Sequence, residues 1–201
     1  MESFESLTPN EFANSVKRTA NSSLPVTSQV INCCFALAEE YGEFIGLLKK
    51  AIYHDHDVKE ADYEKELGDI LFYSFWLCQA IDDKPANIAF AHLFAKEFLD
   101  VTERSMGSSI PAAFADGHSA IHSTIARCNA YLIAWRRGYD IDVFKMEVEG
   151  LVLHHLRAIT ELCNVIGLKS TWGKIAHMNQ QKLLKRYPRG FSTTDSKNRV
   201  E

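Results

Sequence analysis

The stretch Glu66-Leu67-Gly68-Asp69-Ile70-Leu71-Phe72-Tyr73-Ser74-Phe75-Trp76-Leu77-Cys78-Gln79-Ala80-Ile81 decides how the rest of the chain is read. Asp69 is the only charged residue across positions 67–81. A helix over such a run is apolar nearly all round and belongs in an interior. It is too short to span a bilayer. A carboxylate inside it loses water at a cost of several kcal/mol unless a partner compensates. Outward from this stretch, apolar residues recur at helical spacing. Thr8-Pro9-Asn10-Glu11 is a capping box with proline at the first helical position, which predicts a helix over 9–21. Further helices are predicted over 28–53, 61–81, 86–104, 118–137 and 142–166, and a last one capped by Ser170 and reaching 186. Residues 105–116 read as a loop. No run alternates apolar and polar with turn chemistry, so the fold class is all-α. One helical-bundle domain is expected over 1–191, with an unusual middle segment at about 86–170 and a mobile polar tail over 192–201.

Glu40 and Glu43 are three apart on one predicted helix, and Glu66 and Asp69 are three apart on the next. Residues at i and i+3 share a face, so each helix offers two neighbouring carboxylates. The turn at His54-Asp55-His56-Asp57 lets the two helices pack antiparallel, and the four acids then converge. Glu40 and Glu43 share a stripe with Ala36 and Leu47. A single Glu-x-x-Glu pair is ordinarily a solvated face; two pairs on consecutive helices, one within an apolar run, are a different case. Divalent cations relieve both desolvation and mutual repulsion. Hard oxygen ligands with no nearby histidine or cysteine favour Mg²⁺, or Mn²⁺ as a substitute, over zinc. Mg²⁺ keeps waters and takes up substrate phosphate oxygens, which directs the expectation to phosphate-ester or phosphoanhydride chemistry.

The chain has 201 residues, 46% of them hydrophobic and 24% charged, with a net charge of −4. That balance suits a globular core and argues against a nucleic-acid-binding surface, which needs a basic excess. The five cysteines form no C-x-x-C pair and sit in apolar segments, so buried reduced thiols are expected. Met1-Glu2-Ser3-Phe4-Glu5 lacks the basic start of a secretory signal, and a soluble, cytoplasmic protein with no membrane span is expected. His154 and His155 are adjacent and face different sides of a helix, so packing is their default role. No glutamate has a histidine three residues on, which excludes a ferritin-like di-iron pattern. Trp76, Trp135, Trp172 and the phenylalanines are expected in the core.

Leu37-Ala38-Glu39-Glu40-Tyr41-Gly42-Glu43 and Glu66-Leu67-Gly68-Asp69-Ile70-Leu71-Phe72-Tyr73 resemble the two core helices of the MazG-like all-α nucleoside triphosphate pyrophosphohydrolases. Asn179-x-x-Lys182-x-x-x-Arg186-Tyr187-Pro188-Arg189-Gly190-Phe191 is similar to that family's closing motif, and Arg18-Thr19-Ala20-Asn21 resembles a common N-terminal element. The resemblance implies Mg²⁺-dependent hydrolysis of a (d)NTP to a nucleoside monophosphate and pyrophosphate. Under it Glu40, Glu43, Glu66 and Asp69 are the metal-binding and catalytic acids. Lys182, Arg186, Asn179 and Asn21 are the substrate-binding residues. A non-catalytic nucleotide- or partner-binding bundle is the alternative. The chain departs from the family in placing more than a hundred residues between Asp69 and Lys182. Trp76-Leu77-Cys78-Gln79-Ala80-Ile81-Asp82-Asp83-Lys84 loosely echoes Glu161-Leu162-Cys163-Asn164-Val165-Ile166-Gly167-Leu168-Lys169. One explanation is an internally duplicated, fused-pair bundle in which His154 falls opposite Asp69, and the other is an insertion that caps the site or builds an oligomer interface. A bundle with so many apolar faces is also expected to form a homo-oligomer, a dimer or higher.

Overall fold

The structure is a computed structural model that describes residues 7–82 and 109–197. Seven helices are present among them: α1 (Pro9–Thr19), α2 (Val26–His54), α3 (Glu60–Asp82), α4 (Ile110–Arg136), α5 (Asp142–Val165), α6 (Trp172–Arg186) and α7 (Thr193–Lys197). The described residues contain no strand, only one isolated bridge between Pro188 and Gly190, so the all-α expectation holds. No described helix is long and apolar enough to cross a membrane. The helix expected over 86–104 lies outside the described residues.

Local chemistry explains most boundaries. At α1 the Glu11 amide donates to Thr8 Oγ1 at 3.3 Å while the Thr8 amide donates to Glu11 Oε2 at 2.8 Å, so the capping box is complete. The loop expected over 105–116 is overturned from Ile110 onward. Ser109 caps α4, its hydroxyl accepting from the Ala112 amide at 3.4 Å, and Pro111 sits in the first turn, where its missing N–H removes nothing from the helix. Thr171, rather than Ser170, caps α6, accepting from the Lys174 amide at 3.2 Å. The Ser170 hydroxyl instead lies in bonding range of Glu60 Oε1 at 2.9 Å and of Glu64, with one proton to share between them, binding the α5–α6 connection to the start of α3.

Two helical hairpins form the body. In the first, α2 turns into α3 through residues 55–59, with Asp55 left-handed at φ 53°. In the second, α4 turns into α5 through residues 137–141, with Gly138 left-handed at φ 68°. The helices have 29 and 23 residues in one hairpin and 27 and 24 in the other, so the two are closely matched in size. They pack α2 on α4 and α3 on α5, and α6 lies along α3 with α1 beside both. Gly117 lets α4 approach α2: a Cβ there would meet Tyr41 Oη at 3.0 Å.

Between the hairpins sits a buried polar knot. His155 is fully buried, with Ser74 Oγ 2.8 Å from Nε2 and Thr124 Oγ1 3.1 Å from Nδ1. Both hydroxyls also lie in bonding range of helix carbonyls, Ile70 and Ala120. Each hydroxyl has one proton, and a neutral imidazole has one N–H and one lone pair. One hydroxyl therefore donates to its carbonyl and accepts from the ring, while the other gives its proton to the ring. Burial, and secondarily the charge of His154, pushes the His155 pKa down to about 3, so the ring is neutral. The buried partner across from α3 is thus His155; His154 is exposed.

Core placement departs from expectation at three exposed aromatic residues. Trp76 and Trp172 are buried, but Trp135, Phe114 and Phe35 are exposed, Phe35 by 73%. The buried face of α2 is Val30, Cys33, Leu37, Tyr41, Phe44 and Leu48, which turns Phe35 and Ile31 outward. All five thiols are free and buried.

Candidate metal and phosphate site

The acids come from facing stretches of α2 and α3. Carboxylate oxygens of Glu40, Glu43 and Glu66 lie within 4.8 Å of one another. Glu43 is exposed, Glu40 half-buried and Glu66 buried. Asp69 does not complete that trio. Its Oδ1 accepts from Asn179 Nδ2 at 2.8 Å, and its two oxygens receive the Lys182 ammonium, Oδ2 at 2.6 Å. Asp69 nevertheless belongs to the same electrostatic unit. The Glu40 pKa is pushed up to about 8 by burial, then by the charge of Asp69, then by Glu43 and Glu66, with Lys182 pulling the other way. Glu66 is raised too, first by burial and also by Glu43 and Asp69, against the nearby Lys65 ammonium.

Two polar atoms here have no hydrogen-bond partner although they are buried: Glu66 Oε2 and Asn179 Oδ1. Glu66 is 6% exposed and Asn179 3%. A buried unpartnered carboxylate oxygen is among the costliest groups a fold can retain. Glu66 is also one of the three clustered carboxylates, an arrangement that suits a hard divalent cation. The donor set is all oxygen, with no imidazole or thiol in it, which fits Mg²⁺ or Mn²⁺.

No family model, curated protein or solved structure matches the chain.

Lys182, expected as a substrate ligand, reaches the acids of its own chain despite the long intervening segment. Arg186 lies four residues on along the same face of α6, half-buried, with no ion pair among the described residues. Asn179 packs against α3 rather than opening to solvent, and holds Asp69. Asn21 lies apart, in the turn between α1 and α2, where its Oδ1 accepts from Ser23 Oγ at 2.6 Å. The closing motif ties α6 to the end of α1: Arg18 donates to the Pro188 carbonyl at 2.5 Å, and the Phe191 amide donates to the Arg18 carbonyl at 3.3 Å.

Sequence reasoning missed two supporting residues. Lys65 Nζ lies 3.1 Å from Glu66 Oε1; adjacent residues do not share a helix face, so periodicity offered no hint of this contact. Gly68 did carry a signal, because a glycine inside a helix costs about 1 kcal/mol relative to alanine and needs a reason. The reason is α6: a Cβ on Gly68 would lie 3.1 Å from Asn179 Cβ and 3.2 Å from its Nδ2. Gly68→Ala is expected to push Asn179 back and loosen its bond to Asp69. The expected cost is about 1–2 kcal/mol of stability, in the range of overpacking and a lost charged hydrogen bond. Thermal unfolding with and without a divalent cation checks this; a melting temperature raised by the helix preference of alanine would show that α6 does not press on α3 there.

A cavity of about 560 Å³ opens farther along α3, lined by Ala13, Lys17, Gln29, Trp76, Gln79 and Ala80 among others. Asp69, Trp76 and Ala80 are spaced i, i+7 and i+11 and so share one face. Seven residues of helix advance roughly 10 Å. Trp76 is fixed by its indole N–H donating to Gln29 Oε1 at 2.9 Å, and Gln79 by donating to the Ala13 carbonyl at 2.8 Å.

Proposed function

We propose that this protein is a Mg²⁺-dependent nucleoside triphosphate pyrophosphohydrolase, converting a (d)NTP to a nucleoside monophosphate and pyrophosphate. The observation that carries the reading is the Glu40–Glu43–Glu66 trio, one member of which buries an unpartnered oxygen beside the Asp69–Lys182 pair. The sequence resemblance assigns the same acids to this chemistry.

Glu40, Glu43 and Glu66 would hold the cation, with Asp69 beside them. A bound divalent cation supplies charge neutralisation at phosphate oxygens and makes water a stronger nucleophile. Phosphoryl transfer asks a protein mainly for positioning and charge compensation. Lys182 and Arg186, on one face of α6, offer two cations to a polyphosphate. Asn179 and Gly68 keep Asp69 and α6 in register. The cavity by Trp76 has the volume of a small-ligand site and lies on the α3 face that carries Asp69. It suits the nucleoside end of a substrate whose phosphates reach the acids. A cytoplasmic, homo-oligomeric protein belongs to the same proposal. Exposed apolar side chains at Phe35, Tyr139, Val143 and Met146 support the oligomer, and light scattering tests it.

The decisive experiment incubates the protein with each (d)NTP and Mg²⁺ and identifies the products. Pyrophosphate with the matching monophosphate is expected from at least one nucleotide. Nucleotide binding with no pyrophosphate from any of them would reject catalysis and leave a binding bundle.

A further inference from the structure

Four carboxylates of one electrostatic unit contain one basic side chain that crosses from another helix, and it sits on the acid that the trio leaves out. Lys182 reaches from α6 to both oxygens of Asp69, and its charge is also felt at Glu40. It is 28% exposed in its side chain, on a flexible four-carbon stem, so it is free to swing towards solvent. Glu66 Oε2 is buried and unpartnered, and Glu66 belongs to the trio of clustered carboxylates, so an acceptor without a donor stands in the same acid group. An ammonium on Asp69 and a divalent cation among the acids repel one another. A polyphosphate removes that conflict, because its oxygens give Lys182 another partner and give the cation further ligands.

We propose that Lys182 stands in for the divalent cation at Asp69 and makes cation binding depend on polyphosphate. The inference rests on the cation reading of the acid site and adds an order to it. With no polyphosphate, Lys182 holds Asp69 and cation affinity is low. With a polyphosphate bound, Lys182 transfers to phosphate oxygens, Asp69 is released, and cation affinity rises. Because binding free energies are reciprocal, the cation raises polyphosphate affinity by the same factor. Loading of a bare cation in the absence of substrate is thereby suppressed.

The test uses the full chain and Mn²⁺ as probe, at buffered free Mn²⁺, with and without inorganic tripolyphosphate. Bound Mn²⁺ is read by electron paramagnetic resonance and calorimetry for wild type, Lys182→Gln, Lys182→Arg and Asp69→Asn, each checked for native helicity by circular dichroism. Wild type is expected to bind Mn²⁺ about tenfold more tightly when tripolyphosphate is present. Lys182→Gln is expected to bind Mn²⁺ alone about tenfold more tightly than wild type and to lose most of the tripolyphosphate effect, whereas Lys182→Arg keeps the wild-type pattern. Mn²⁺ binding that Asp69→Asn weakens but Lys182→Gln leaves unchanged would overturn the stand-in role and spare the cation reading. Absence of Mn²⁺ binding by every form, with and without tripolyphosphate, would remove both.

Discussion

Glu40→Gln is expected to lower nucleotide hydrolysis by about 10²–10³-fold, the loss typical of removing one preorganised electrostatic group from a reaction site. The same substitution is expected to raise the melting temperature of the cation-free protein above pH 8. Burial and the charges of Asp69, Glu43 and Glu66 raise the folded-state pKa of Glu40 to about 8, from an ordinary value near 4.5. A carboxyl raised in this way stabilises the fold fully below the unfolded value and loses that contribution as pH climbs through the folded value. Above pH 8 the charged group is a net burden on the cation-free fold, and glutamine removes it. Glu40 retains contact with solvent, which screens part of the effect. A gain of about 2–4 °C, equivalent to about 1 kcal/mol in a chain of this size, is expected. At pH 5 the gain should vanish, because the native carboxyl is then protonated. Added Mg²⁺ should reverse the order and favour wild type. Scanning unfolding at both pH values, with chelator and with Mg²⁺, reads all of these at once. A variant less stable than wild type above pH 8 in chelator would show that the acids are not in conflict there.

The second large effect lies away from the site. His155→Ala is expected to destabilise the protein by about 3–5 kcal/mol, the range for emptying a fully buried large side chain, with loss of the two hydrogen bonds that join α3, α4 and α5. The pH dependence identifies the cause. Burial depresses the folded pKa of His155 to about 3 from 6.5. The contribution of the neutral ring is complete above pH 6.5 and is lost as pH falls towards 3, because the unfolded chain binds a proton that the folded chain refuses. The slope approaches about 1.4 kcal/mol per pH unit for one proton. His155→Ala should therefore lose less stability than wild type between pH 6.5 and 4. Glu40 titrates with the opposite sign in part of this window, but it is common to both proteins and cancels in the comparison. Parallel acid limbs in denaturant unfolding would rule out a neutral buried imidazole.

Much of this architecture is visible in residue order because helices are local objects. The Thr8–Glu11 box, the apolar run after Glu66 and the i, i+3 spacing of the acids each depend on positions a turn apart. Local rules therefore predict α1, α2, α3 and the pairing of Glu40 with Glu43. They fail at α4, whose first turn, with Pro111 in it, falls in a stretch that reads as a loop. They fail again at Phe35 and Trp135, because apolarity does not say which side of a helix has a neighbour.

What residue order determined by itself is the helical class, the antiparallel pairing of α2 with α3, and the presence of carboxylates where water is scarce. Only the tertiary structure decided how those carboxylates divide: three face one another, and the fourth is held by Lys182 and Asn179 from a helix more than a hundred residues away. It also decided that His155, not His154, bridges the hairpins, and that Gly68 exists for the approach of α6. Spacing along one helix defines shared faces, whereas the choice of partner across an interface depends on the rotation and depth at which helices meet. Those are set by the whole core together.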